Sequence, residues 1–258
     1  MSALPSVAEL LEVAVRAARM GGDHTLRYFR RNVGVEFKAD RSPVTQADRE
    51  AEQIIRDHLQ QTFPLHAILG EELGDVGPAD AAVRWVVDPI DGTKSFIHGV
   101  PLYTTLVGVM LHGRPVAGAI YAPATGELVC GGQGVAATLN GVPCRVSDVS
   151  TLADATILTS GIVPAIGRSD AFLALARRCR NSRTWGDGYG YLMVATGRAE
   201  IMIDPKMSPW DCGAILPVIQ AAGGACASWA GEETIFGGDL YACNAALAAE
   251  VGQALRQG

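Results

Sequence analysis

The chain has 258 residues, 48% of them hydrophobic and 19% charged, a balance that supports a sizeable folded core and excludes a disordered polymer. With 27 acidic against 21 basic residues its formal net charge is -6, which argues against general binding to nucleic acid or to an anionic membrane surface. The length fits one large α/β domain or two intimately packed halves.

The opening stretch carries Leu10, Leu11, Ala14, Val15 and Ala18 at helical spacing, with Glu9, Glu12, Arg16 and Arg19 between them. It reads as an amphipathic helix rather than a targeting segment. "VGVEFKAD" alternates like a strand. A turn at Pro43 leads into a helix starting near Thr45, whose apolar face is Ala47, Ala51, Ile54, Ile55 and Leu59. "HAILGEELG" is a short strand ending in two glutamates, and "RWVVDPIDGT" is a strand ending in two aspartates. Residues 104–134 read as three antiparallel strands joined by Gly- and Pro-rich turns. From about residue 150 strands and helices alternate: "ATILTS", "DAFLALARRC", "YGYLMVATG", "AEIMID" and "DCGAILPVIQAAGG". That pattern predicts a layered α/β second half, with a boundary between residues 1–145 and 146–258.

The uncharged run from Cys212 to Ala227 holds Pro217, Gln220 and Gly223-Gly224, so a buried helix and turn explain it better than a membrane span. Cys130, Cys144, Cys179, Cys212, Cys226 and Cys243 form no C-x-x-C pair, and free thiols in a reducing cytoplasm are expected. The five histidines form no ligand pattern, and "GGQG" lacks the Lys-Ser/Thr of a P-loop.

Four acids, Glu71, Asp88, Asp91 and Asp211, each end a strand or begin a helix. Carboxylates at strand ends project into the crevice where α/β proteins keep their sites. Oxygen donors without histidine or cysteine suit a hard cation such as Mg²⁺. Simpler readings stand beside this one: Asp211 as a helix cap, Glu71-Glu72 as a solvated turn, and Asp88-Pro89-Ile90-Asp91-Gly92 as a proline-nucleated turn. Gly92 and Thr93 follow where the chain enters a helix, and backbone N–H groups at such a start bind phosphate oxygens.

"GEELG", "WVVDPIDGTKSF" and "MSPWDCGAILPVIQAAGG", in this order and with the early "KADRSPVTQAD", resemble the signatures of the inositol monophosphatase superfamily across essentially the whole chain. The resemblance implies a layered α+β sandwich of the inositol monophosphatase/fructose-1,6-bisphosphatase type and a metal-dependent phosphomonoesterase. It assigns Glu71, Asp88 and the Ile90 carbonyl to one Mg²⁺, and Asp88, Asp91 and Asp211 to a second. Two or three ions are expected, with Mn²⁺ as a substitute. Gly92 and Thr93 would hold the phosphate, while Thr93, Asp48 and Glu71 would orient and deprotonate the attacking water. Asp48 also has capping-box spacing from Thr45. Lys38 lies in a segment that is often a mobile loop in the superfamily.

"TWGDGYGY" resembles the histidinol-phosphate phosphatase branch, whose substrate carries an ammonium group. This places Asp187 and Asp204 at the substrate, with Asp91 and Asp211, although "GDG" around Asp187 and Asp204 before Pro205 can each be only a turn. Trp185 can stack on an imidazole or pack in the core. The alternatives are an inositol or broad sugar-phosphate monophosphatase and a non-catalytic regulatory relative. The resemblance further implies a homodimer and a small phosphate ester as the partner, with no nucleic acid or membrane.

Overall fold

A computed structural model describes residues 4–257. Helix α1 (Val7–Thr25) is followed by a hairpin of β1 (Val35–Phe37) and β2 (Pro43–Thr45), then helix α2 (Gln46–Thr62). Strands β3 (Ala67–Gly70), β4 (Gly74–Val76) and β5 (Val83–Asp91) lead through the short helix α3 (Thr93–Ile97). A meander follows: β6 (Thr104–Leu111), β7 (Arg114–Ala122), β8 (Glu127–Gly132), β9 (Val135–Leu139) and β10 (Val142–Pro143). The eight strands β3–β10 form one sheet in the order β10-β9-β8-β7-β6-β5-β3-β4, parallel only between β3 and β5.

The chain then builds a five-stranded sheet from β11 (Thr156–Leu158), β12 (Asn181–Arg183), β13 (Ile201–Asp204), β14 (Gly224–Ala227) and β15 (Leu240–Asn244), in the order β12-β11-β13-β15-β14. Helices α4 (Ile162–Arg168), α5 (Ala171–Ala176), α6 (Asp187–Ala195), α7 (Pro209–Ala221) and α8 (Ala248–Gln257) complete it. The order is helix, sheet, helix, sheet, helix. One core joins α1 and α2 to the large sheet, a second joins both sheets through α6 and α7, and a third joins the small sheet to α5 and α8. The two sheets therefore share the core around α7 rather than folding around separate ones.

Buried strands explain the unbroken apolar run before Asp88. Trp85 and Val87 enter the core beneath α1 and α2, and Val86 enters the core beneath α7. A strand covered on both faces has no polar side to show. Close approach places α7: an added Cβ on Gly108 of β6 would lie 2.3 Å from the Gly213 carbonyl carbon, so only glycine lets the helix down onto this strand. The start of α7, with Asp211, is thereby pinned beside the end of β5.

The apolar faces read from sequence are largely buried, although Val15 and Ile54 are only partly so. Glu52 and Arg56, also on the buried side of α2, were not anticipated. All six cysteines are free thiols. Among the described residues no helix is long and apolar enough to cross a membrane.

Candidate active site

Asp88 and Asp91 stand three residues apart on β5, a spacing that in a regular strand sends side chains to opposite faces. The strand is not regular there. Asp88 pairs with Leu106 and Asp91 with Thr104, so three steps on β5 match two on β6. This bulge inserts one residue and returns both carboxylates to one side. Asp88 Oδ1 accepts a hydrogen bond from the Ile90 N–H at 3.0 Å within the bulge, and Asp91 accepts one from the Gly188 N–H at the start of α6.

Asp211 reaches the same point from α7, so that carboxylate oxygens of Asp88, Asp91 and Asp211 all lie within 4.8 Å of one another. Its helix-capping role is also real, since it accepts the Ser208 N–H at 2.7 Å. Burial pushes the Asp88 and Asp91 carboxyls well above the usual carboxylate range. Neighbouring acids add to this, chiefly Glu71 for Asp88 and Asp187 for Asp91. Burial also pushes Asp211 up to about 7. Three crowded acids in a dry site hold protons unless a cation takes their place.

Asp48 sits at the third position of α2 and divides its oxygens. Oδ2 accepts from the Thr45 N–H at 2.8 Å and from the Thr45 hydroxyl at 2.6 Å, completing the capping box. Oδ1 faces the Thr93 hydroxyl at 3.5 Å, and that hydroxyl donates to the Ile90 carbonyl at 3.0 Å. Burial pushes Asp48 up to about 6, against the hydrogen bonds from Thr45. Gly92 caps α3 with a left-handed φ of 86°, and no side chain hydrogen-bonds to the cap. A β-carbon there would lie 3.0 Å from Asp187 Oδ2, a second reason for glycine.

Glu71 lines the same cleft, but its carboxylate is engaged by Lys38. The Lys38 ammonium donates to Glu71 at 2.8 Å and to Glu72 at 2.7 Å from the β1–β2 turn, which lies over the site. Burial opposes the ammonium's charge, and the two glutamates more than restore it, so its pKa is raised. Glu72, unlike a solvated turn residue, is pushed by burial up to about 7.

Asp187 begins α6 at the rim of the cleft, with a left-handed φ of 54° and its N–H donating to the Ser160 hydroxyl at 2.7 Å. Burial raises its pKa, while the Ser160 hydrogen bond and the Lys94 ammonium lower it. Asp204 was expected at the substrate. It is 3% exposed and does not line the cleft. Its position at the inner end of β13 lets it accept the Ser160 N–H at 2.9 Å, so Ser160 stands between Asp204 and Asp187. Burial and Asp187 push Asp204 up to about 7.

Trp185 is exposed, outside the cleft lining, with the Arg183 guanidinium over its ring. Tyr191 is buried in the core, and Tyr189 donates to Glu127. Lys94, Lys206 and Ser160 were not among the residues singled out from sequence. Ser160 had a readable signal, since it ends the stretch "ATILTS" read as a strand, and strand ends in α/β proteins collect functional groups.

The cleft holds about 480 Å³ and is lined by Lys38, Glu71, Asp88, Asp91, Thr93, Lys94, Asp187, Lys206 and Asp211 among others. A larger cavity of about 780 Å³, between the β6–β7 turn and α7, has Glu233 as its one acid, so it cannot do the same chemistry. The donors fit a metal ion. They are carboxylate oxygens within 4.8 Å of one another, no histidine or cysteine lines the cleft, and a hard cation would relieve their repulsion.

A cluster of converging acids in a cleft beside a helix-entry turn suits metal-assisted hydrolysis of a phosphate ester, and the comparisons agree. The model of the Inositol monophosphatase family matches residues 6–257. Histidinol-phosphatase of Chlorobaculum parvum is 40% identical over 249 residues, covering 92% of this chain and 93% of the relative. Inositol-1-monophosphatase of Rhizobium meliloti is 35% identical over 224 residues, covering 83% and 84%. The crystal structure of the extragenic suppressor protein suhB from Bartonella henselae superposes with a TM-score of 0.90 at 30% identity, covering 97% of this chain and 99% of that one. The chain belongs to the inositol monophosphatase family, which is metal-dependent, and it is a phosphatase whose substrate is a small phosphate ester.

Proposed function

We propose that the protein is a Mg²⁺-dependent histidinol-phosphate phosphatase, converting L-histidinol phosphate and water to L-histidinol and phosphate. The observation that carries this reading is Asp187, a carboxylate at the rim of a phosphate-hydrolysing cleft, held by Ser160 above the buried Asp204. A carboxylate facing an ammonium forms a charge-assisted hydrogen bond, which a polyol substrate cannot match. The similarity to a histidinol-phosphatase at 40% identity supports it.

Glu71, Asp88, the Ile90 carbonyl, Asp91 and Asp211 would hold the ions, with Lys38 giving up its place at Glu71. Bound Mg²⁺ supplies charge neutralisation of the phosphoryl group and acidifies the attacking water. Thr93 accepts the water's hydrogen bond once its own proton turns from Ile90 to Asp48. Asp48, with a pKa of about 6, and Glu71 are placed to take the water's proton. The Gly92 and Thr93 amides hold the phosphoryl oxygens. The water oxygen bonds to phosphorus as the bond to the histidinol oxygen breaks; that oxygen takes a proton from solvent, and the proton held at Asp48 or Glu71 returns to solvent.

The second reading, an inositol-type monophosphatase, rests on Lys94, which offsets the charge of Asp187 and leaves the rim closer to neutral. Phosphate release with Mg²⁺ from histidinol phosphate and from inositol 1-phosphate separates the two.

A further inference from the structure

We infer that Glu52 and Arg56 of α2 are positioning residues for the metal site, fixing the turn that presents Glu71. This rests on the metal-dependent reading of the cleft. Both side chains are out of water, Glu52 at 0% and Arg56 at 5% exposed. The Glu52 carboxylate accepts the Arg56 Nε–H at 2.7 Å, the Glu72 N–H at 2.7 Å and the Leu73 N–H at 3.1 Å. The far end of Arg56 donates to the Gly74 carbonyl. On the other side of the turn the Glu71 N–H donates to Val87 of β5 at 3.2 Å. Residues 71–74 are therefore tied at every position, to β5 at the start and to α2 thereafter.

A buried ion pair is a weak device for stability, because desolvating two charges costs about as much as their attraction returns. Its value here is geometric. The turn leaves two amides and a carbonyl pointing into the protein, and an apolar pair of the same size cannot satisfy them. Gly70 completes the fit: a β-carbon there would lie 2.1 Å from Glu52 Oε1, so the strand end presses directly on the carboxylate. Partners that hold a ligand in place are commonly worth about 10–100-fold in metal affinity.

The test uses the purified full chain and Mn²⁺ titrated by electron paramagnetic resonance, so that metal affinity is read without turnover. Glu52→Gln sets a side-chain N–H against Arg56 or the turn amides, and is expected to raise the Mn²⁺ dissociation constant at least about tenfold. Arg56→Lys keeps a cation beside Glu52 but cannot also reach Gly74, and a rise of about tenfold, the lower end of that range, is expected. Leu255→Ala, a core truncation in α8, lowers Tm and is expected to leave Mn²⁺ affinity within about twofold of wild type, since it removes only packing. Wild-type affinity in Glu52→Gln, or losses in all three variants that follow Tm, would overturn the inference. Should Glu52→Gln fail to fold, wild-type affinity in Arg56→Lys would overturn it alone. Raised Mn²⁺ dissociation constants in Glu52→Gln and Arg56→Lys, together with a wild-type protein that releases no phosphate, would support the positioning role while contradicting the phosphatase reading.

Discussion

The Thr93 hydroxyl lies 3.5 Å from Asp48 Oδ1, the one oxygen of Asp48 that the capping box of α2 leaves over. One carboxylate thus starts a helix and faces the centre of the cleft. The hydroxyl now donates to Ile90, and its proton needs only to turn to reach Asp48.

Thr93→Ala should slow the chemical step by about 10²–10⁴-fold, the usual worth of general acid–base help. Metal affinity should change little, because the Asp88, Asp91 and Asp211 carboxylates are untouched. Single-turnover rates beside Mn²⁺ titrations separate the two quantities. An unchanged kcat would mean that Thr93 serves through its backbone alone.

Asp88 is the buried member of the acidic cluster, and burial, with Glu71, Asp91 and Asp211 adding to it, raises its pKa. Asp88→Asn should lose more metal affinity than the about 10–100-fold typical of a ligand's supporting partner, and turnover should fall with it. Its metal-free form should be no less stable than the wild type, because a costly buried acid has been neutralised. Calorimetric metal titration and thermal melts in chelator check both halves.

The metal-free protein should lose thermal stability as pH rises from about 4 to about 7. Burial pushes Asp48 up to about 6 and Asp204 and Asp211 up to about 7, all above the unfolded value near 4. Groups whose folded pKa is raised stabilise fully below the unfolded value, and that contribution is lost as pH climbs through the folded one. Protons and metal compete for the same oxygens, so Mg²⁺ should raise Tm more at pH 8 than at pH 5. Melts with Mg²⁺ and with chelator across this range give the sign directly; a chelated protein that gains stability from pH 4 to 7 would contradict it.

Much of this architecture is readable in the sequence, because the informative signals are local. The strand ends at Glu71 and Asp88, the helix start at Thr45 and the acid at Asp211 all announce themselves in short stretches. The bulge that aims Asp88 and Asp91 together does not, since it depends on pairing with β6. Strand β15 shows no alternation because all five of its residues are buried, and helix α8 and strands β12 and β14 were likewise unread. Lys38 could be placed on a loop, but its two glutamate partners lie 33 and 34 residues away. The direction of Asp204 is not legible for a related reason: a position in sequence beside the site does not say which way a strand-end side chain faces, and this one turns inward to Ser160.

Asp187→Ala should weaken use of a substrate bearing an ammonium by about 10- to 150-fold in kcat/KM, the worth of about 1.5–3 kcal/mol for a charged hydrogen bond. Hydrolysis of a neutral-alcohol phosphate should change by less than about threefold, since the metal ligands are unaltered. Asp204→Ala should shift the same selectivity by less, acting through Ser160. Equal losses on both substrates would make Asp187 a structural residue.

The central claim is most directly tested by steady-state kcat/KM of the wild-type protein with Mg²⁺ on histidinol phosphate and inositol 1-phosphate, side by side. The carboxylate at the rim predicts a ratio in favour of histidinol phosphate of at least about tenfold, the lower bound for one charged hydrogen bond. A ratio at or below unity would contradict the assignment and pass the site to the inositol-type reading.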